Sequence, residues 1–358
     1  MRQTSKTPLS GHGARSNPDS RFLEHTHSSE SSQIDPEWDG AKPPKTAISV
    51  ETAKSIVSYN DSPDIPFDRS VNFARGCQHG CIYCYARPSH AYVGLSPGLD
   101  FETKIIVKEN AAELLRKELG KPGYRPAPLA LGANTDPYQP LEQKWQVTRG
   151  ILEVLAEFNH PVMITTKGSL IERDIELLAA MAEKNLVRVM ISIATLEPEI
   201  ARRLEPKAAA PKRRVEILRA LSQAGIPAGV IVAPIIPALT DQDLEKVLEA
   251  AWRAGAKTAS HVFLRLPMEV KGLFVEWLEA HYPDRAAHVM SLVRQSRGGR
   301  ENVSAFGERM EGTGVFADMI RQRFANTRRR LGYQSEIPMN LDLFGPPKRG
   351  NRQLDMFD

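Results

Sequence analysis

Short apolar runs alternate with longer amphipathic stretches through the middle of this chain. The runs at 70–75, 128–133, 161–165, 187–193, 228–233 and 259–264 predict strands. Between them the pattern predicts helices at 108–119, 142–158, 170–184, 212–224 and 241–254. Gly120, Gly225 and Gly255 supply helix stops, and Thr240 with Asp241 supplies a helix start. Three more helices are predicted at 268–281, 284–296 and 315–331. Six strand–helix repeats predict an α/β fold with a parallel sheet and helices outside it. Right-handed crossovers would curl that sheet into a partial (β/α)6 barrel, followed by a C-terminal helical extension. Chemistry in such a barrel sits at the carboxyl ends of the strands.

The ends of the chain lack this pattern. Residues 1–45 are rich in Ser, His, Pro and charge and read as disordered or loosely ordered, and residues 336–358 read as a flexible tail. The domain reading is therefore a barrel core at 46–265, a basic helical extension at 266–335, and these two ends. The uncharged stretch 220–240 is long enough to suggest a membrane span. However, Pro227, Pro234 and Pro237 within it fit a buried strand flanked by loops. Composition is that of a globular protein, 41% hydrophobic and 25% charged, with a net charge of +4. Twelve Arg and one Lys face six acidic residues over 285–352, which suits a phosphate-bearing partner. The N-terminus carries no secretory signal, and three cysteines cannot form a disulfide framework. The chain therefore reads as a soluble cytoplasmic protein without a membrane role.

All three cysteines, Cys77, Cys81 and Cys84, fall in one segment, GCQHGCIYCYARPSH, directly after the first predicted strand. Thiolates bind zinc, copper(I) and iron–sulfur clusters. One reading is a structural zinc site with His79 or His90 as fourth ligand. A second takes Cys81 and Cys84 as a redox C-x-x-C pair. A third is an iron–sulfur cluster with one iron left open to a non-protein ligand.

The C-x3-C-x2-C spacing, with Tyr83 just before the third cysteine, resembles the cluster loop of radical S-adenosylmethionine (SAM) enzymes. The resemblance extends over 63–104, GANTDPYQPLE at 132–142 and EPKAAAPKRRVEILRALSQAGIPAGVIVAPIIPALTD at 205–241. These segments are similar to a DNA-repair-photolyase-like branch related to spore photoproduct lyase. The resemblance implies that Cys77, Cys81 and Cys84 hold one 4Fe-4S cluster and that SAM occupies the remaining iron. It also implies reductive cleavage of SAM to a 5′-deoxyadenosyl radical, which abstracts hydrogen from a substrate. A damaged or modified nucleic-acid base is the expected substrate, and a flavodoxin- or ferredoxin-like protein the expected electron donor. The other class of reading is a non-catalytic zinc-binding nucleic-acid adaptor tethered to the sliding clamp.

By the same resemblance Tyr83 packs near the adenine of SAM, and Asn134, Thr135 and Asp136 meet its amino group. Ser192 or Thr195 meets the ribose or carboxylate, Arg214 the carboxylate, and Val232 backs the adenine. Lys167 and Arg265 are candidates for a substrate phosphate. The spore-lyase relative carries a further cysteine as hydrogen-atom donor. This chain has none to spare, so Tyr85, Tyr92 and Tyr138 are the catalytic candidates. Finally, QLDMF at 353–357 resembles the pentapeptide that docks repair proteins on the bacterial sliding clamp, and NLDLF at 340–344 is a weaker copy.

Overall fold

The structure is a computed structural model and describes residues 11–22 and 44–347. At its centre lie six strands: β1 (Arg69–Val71), β2 (Leu129–Leu131), β3 (Val162–Thr166), β4 (Val187–Ser192), β5 (Ala228–Ile235) and β6 (Thr258–Phe263). They lie side by side in chain order, and every neighbouring pair is parallel. Val57–Tyr59 adds one antiparallel strand to the free edge of β1. No pairing joins β1 to β6 among the described residues, so the barrel is partial.

Each predicted strand is present, but the first was drawn too long. The run expected at 70–75 breaks at Asn72 and Phe73. Its second half, Ala74–Arg75, pairs instead with Lys104–Val107, which in turn pairs with Ala47–Val50. The chain therefore leaves the barrel just before Cys77.

The longer helices of the connections are α1 (Ala111–Leu119), α2 (Val147–Glu157), α3 (Ile175–Ala182), α4 (Pro211–Gln223) and α5 (Leu244–Arg253). The helix expected at 142–158 is split by Gln146, whose φ is +51°. A short helix, Pro198–Leu204, was not foreseen, because seven residues are too few to show a period.

Alternation along the strands sets two environments. Val71, Leu129, Leu131, Val162, Ile164, Val187, Val189, Val230 and Val232 are buried in one apolar core with the helices. The alternate positions face the barrel interior. There Thr258 reaches the Met190 sulfur at 3.6 Å and Arg188 reaches the Met163 sulfur at 3.4 Å. Met163, Thr165, Met190, Ile231 and Ala233 on this inner face are only half-buried, so the interior is an open, mixed-polarity cleft.

Three C-terminal helices follow, α6 (Glu269–His281), α7 (Pro283–Gln295) and α8 (Gly314–Leu331). A second core joins Phe274, Trp277 and Leu278 of α6 to Ile82 of the cysteine loop and to Leu99, Ile236 and Leu239. The extension is thus built onto the cysteine end of the barrel. No helix among the described residues is long and apolar enough to cross a membrane.

Both chain ends differ from expectation where they are described. Residues 11–22, read as disordered, are packed: Ala14 is fully buried, and Ser16, Asn17, Ser20 and Arg21 bond to Glu276, Asp100, Ala91 and Glu269. Residues 334–345, which include the start of the tail read as flexible from 336, run across the opposite end of the barrel. Gln334 N–H donates to Lys257 O, Asn340 N–H to Asn185 O and Gly345 N–H to Phe158 O, while Arg188 donates to Ile337 O. Phe344 lies 5.4–6.3 Å from the rings of Tyr124, Phe158 and His160. The phenylalanine of the weaker clamp-like copy is therefore spent on the chain's own barrel. The stronger copy at 353–357 lies outside the described residues. Phe344→Ala should lower unfolding stability by about 2 kcal/mol, read by urea denaturation. An unchanged midpoint would mean that the tail is free.

Candidate active site

The cysteine loop is shaped by hydrogen bonds rather than by regular structure. Cys77 N–H donates to Phe101 O, Gly80 N–H to Cys77 O, Ile82 N–H to Leu204 O, and Cys84 N–H to Cys81 O. At its centre is Arg87, which is fully buried. Its five N–H donors bond the carbonyls of Cys81, Gly80, Pro97 and Gly98 and the carboxylate of Glu102, at 2.6–3.2 Å. Glu102 is equally buried. It accepts from Arg87, from Gly13 and Ala14 N–H, and bonds His12. Burial alone would raise the Glu102 carboxyl, but Arg87 and these other partners hold it below its ordinary value. Gly80 has a φ of +67°, and a Cβ there would lie 2.7 Å from Glu102 Oε2, so both backbone and packing require glycine.

The two histidines that could complete a zinc site are engaged elsewhere. His79 Nδ1 lies 3.3 Å from Asp136 Oδ2. His90 Nε2 bonds Lys104 O at 2.9 Å, and its ring packs edge-on to Phe101. Burial pushes the Cys77 thiol up to about 12, aided by Asp136, and pushes Cys81 well above the ordinary thiol value. Such a shift makes Cys77 and Cys81 poor nucleophiles as free thiols. Three cysteine sulfurs on one loop are the donor chemistry of an iron–sulfur cluster, whose binding would itself draw off the protons, although among the described residues no three Cys, His, Asp or Glu side chains are gathered into a metal-binding group.

The end of β2 is tied to this loop. Thr135, buried, donates its hydroxyl to Gly76 O and accepts from Gln139, which in turn accepts Gln78 N–H. Asp136 is held by His79, the Thr166 hydroxyl and Lys167 N–H. Burial opposes its charge, yet these partners depress its carboxyl to about 2. The side chains of Thr135 and Asp136 are thus engaged within the fold. Asn134 alone of the three is exposed.

On the other side, the Tyr83 hydroxyl donates to Glu205, and Arg214 donates to Glu205, Ala209 O and Ser192 O. Glu205 and Arg214 are buried. Arg214 therefore holds Glu205, and through it Tyr83, with three of its five N–H donors occupied within the fold. Lys167 points its ammonium toward the Tyr83 ring at 6.0 Å. It forms no ion pair among the described residues. Ser192 sits at the end of β4 with its hydroxyl on Ala233 O at 3.3 Å. Thr195 is buried and bonded to Asp243, away from the cleft. Val232 faces the outer helices, and its register partner His261 packs on Phe324 of α8. Ala233, one residue on, is the position on the inner face.

The three tyrosines separate clearly. Tyr138 is 1% exposed and bonds Asp174 at 3.1 Å, so it is a core residue. Tyr92 is on the outer surface, 4.9 Å from Phe22 and below Arg21. Tyr85 follows Cys84, bonds Ala133 O beyond β2, and lies 5.2 Å below the Arg265 guanidinium beyond β6. It is the one of the three that borders the mouth. The basic runs are mostly spent. Arg297 donates to Glu308 O and Leu264 O, Arg328 to Gln334 O, and Arg330 to Glu249.

A model of the radical SAM superfamily matches residues 71–251. The chain belongs to the radical SAM superfamily. An uncharacterised protein of Mycobacterium tuberculosis is 37% identical over 262 residues, 73% of this chain and 76% of the relative. An uncharacterised protein of Methanocaldococcus jannaschii is 26% identical over 60% of this chain and 76% of its own. The fold is similar to that of spore photoproduct lyase complexed with dinucleoside spore photoproduct. That match has TM-score 0.55 and 16% identity, and covers 79% of each chain. A mutant of that enzyme with bound AdoMet and the same lesion gives 0.54 at 17% identity, over 79% of this chain and 78% of that one.

Membership in the radical SAM superfamily makes the chain an enzyme and implies a 4Fe-4S cluster and SAM. Sequence reasoning missed the residues that hold the cluster loop: Arg87, Glu102, Glu205, Gln139 and the strap at 11–22. Their signal is pairing across the chain, which no local period carries. Removing Arg87 leaves Glu102 buried without its main partner. Arg87→Ala should cost about 3–5 kcal/mol in denaturation of the metal-free protein. Iron bound after anaerobic reconstitution should fall well below about four per chain. Full iron loading at unchanged stability would rule out this role.

Proposed function

We propose that Cys77, Cys81 and Cys84 hold the cluster, that SAM fills the iron they leave open, and that the site acts on a damaged or modified nucleic-acid base. One observation carries this reading. The loop that bears every thiol of the chain is locked by Arg87 at the carboxyl end of an open barrel. When bound, the cluster and SAM supply a one-electron cleavage that gives methionine and a 5′-deoxyadenosyl radical.

The chain's own residues then divide the work. Lys167, cationic and without an ion-pair partner among the described residues, meets the SAM carboxylate. Asn134 offers its side-chain carbonyl to the SAM amino group. Ser192 and Ala233 border the adenosine, and Tyr83, clamped by Glu205, fixes one wall. The half-buried inner face of the barrel, with Thr165, Met190 and Ile231, receives the substrate and limits water. Tyr85 is the candidate hydrogen-atom donor, since no further thiol exists in the chain. Electrons come from a flavodoxin- or ferredoxin-like partner. The nucleic-acid assignment is supported by the fold shared with spore photoproduct lyase and by the cationic mouth beside Tyr85. The zinc-adaptor reading is disfavoured by the commitment of His79 and His90 to other partners.

Anaerobically reconstituted protein should be brown, carry about four irons and release 5′-deoxyadenosine with SAM and dithionite. Cys81→Ala should abolish all three properties. Colourless protein with one zinc would sink the proposal. Lys167→Met should weaken SAM binding about tenfold at unchanged iron content, measured by equilibrium dialysis, as expected for a lost charge-assisted contact. Equal SAM affinity would remove Lys167 from the site.

A further inference from the structure

Most guanidinium groups in this chain are paired with carboxylates or backbone carbonyls, and Arg265 is an exception. It follows β6 and lies over the Tyr85 ring at 5.2 Å. Its hydrogen-bond contact among the described residues is the Met310 sulfur at 3.7 Å, and its Nε is buried without a partner. No carboxylate pairs with it there. Beside it stands a second cation. Arg309 is held by Asp64 at 2.5 Å and by Ser62, and covers the Phe306 ring at 4.7 Å. Burial and the nearby Arg309 both disfavour the charge on Arg265, which the partly compensating Asp64 does not cancel. Two guanidinium groups with one acid between them, at the mouth of a cleft, make a site short of negative charge.

The aromatic partners are the second observation. Tyr85 and Phe306 are 46% and 57% exposed, unusual for rings of this size beside a cleft. Each is paired with one of the two guanidinium groups. Alternating cations and exposed rings, each ring covered on one side by a guanidinium, suit a strand whose phosphates meet arginines and whose bases pack on rings. A duplex, with its bases already stacked inside, would leave the rings unused. Moreover Arg265, Phe306 and Arg309 all lie beyond residue 251, where the superfamily model ends. They belong to the part of the chain that the common chemistry does not require.

We propose that Arg265, Arg309, Tyr85 and Phe306 form a phosphate-and-base subsite that seats a single-stranded nucleic-acid segment at the barrel mouth. This rests on the reading of the same mouth as the site of radical chemistry and names the form of its substrate. Arg265 binds the phosphodiester next to the reacting nucleotide. The exposed Arg329, on the far face of α8, is not part of the subsite.

The test uses full-length reconstituted protein and a fluorescein-labelled oligothymidylate, read by anisotropy across a salt series. Oligouridylate, a duplex of the same length and thymidine monophosphate serve as competitors. Arg265→Gln should weaken oligothymidylate binding about tenfold. It should also flatten the logarithmic salt slope by about 0.7, the value for one lost phosphate contact on a single strand. Arg265→Lys should keep most of the slope, and Arg329→Gln should change neither quantity. Stronger competition by oligouridylate would assign the strand to RNA, and preference for oligothymidylate would assign it to DNA, both within the proposal. Equal binding by Arg265→Gln, tighter binding of duplex, or full competition by the monophosphate alone would overturn it. Release of 5′-deoxyadenosine from the same preparation separates the two levels. If it persists while no oligonucleotide binds, the subsite is refuted and the radical chemistry stands.

Discussion

A guanidinium with no water around it fixes the shape of the cysteine loop. Arg87 can be buried because each of its donors finds an acceptor, and four of those acceptors are carbonyl groups at 80, 81, 97 and 98. Those carbonyls cannot move without exposing unpaired polar groups to a dry interior, at a cost of about 1–3 kcal/mol each. Glu102 cancels the charge and gathers the strap at 11–22 through two backbone amides. The spacing of the thiols is thereby set by a buried polar network rather than by a helix or strand. A network of this kind is stiff when complete and weak when any member is lost.

The remaining polar groups near the mouth sort by whether they are already satisfied. Thr135, Asp136, Gln139, Glu205 and Arg214 spend their hydrogen bonds on holding strand ends to the cysteine loop. Asn134, Lys167 and Arg265 do not. A site that must accept charged ligands needs both kinds. The first gives fixed positions, and the second gives unfilled valence toward whatever enters. The same division explains the two termini. The strap supports the loop from outside the barrel, while residues 334–345 close its other end through Arg188 and Phe344, so the cleft opens on the cysteine side.

The six strands, most connecting helices and the three cysteines could be read from the sequence, because strand alternation and C-x3-C-x2-C spacing are local patterns. The side on which Val232 falls could not be read, since a buried strand is apolar on both faces and only the register with His261 decides it. For Arg214 the sequence offered no sign of its carboxylate partner within the chain. That partner, Glu205, lies nine residues earlier and becomes visible only once the Pro198–Leu204 helix folds back. The ordered strap was hidden by its composition. A Ser- and Gly-bearing segment looks disordered until one finds that two of its backbone amides and the His12 ring bond the buried Glu102.

The basic stretch near the C-terminus shows why charge counting misleads. The arginines that stand out in sequence, at 297 and 328–330, are mostly consumed by carbonyls and by α5 carboxylates. The arginine left without a carboxylate at the mouth sits alone in HVFLRLP, with no basic neighbour in the chain. Its companion Arg309 arrives from 44 residues later on a loop anchored by Asp64. A recognition surface assembled from three separate segments has no sequence signature. It exists only because the helical extension is fused through Phe274 and Trp277 to the cysteine end of the barrel. That fusion brings Arg265 over Tyr85, the residue after Cys84, so a substrate held at the proposed subsite would lie beside the cysteine loop.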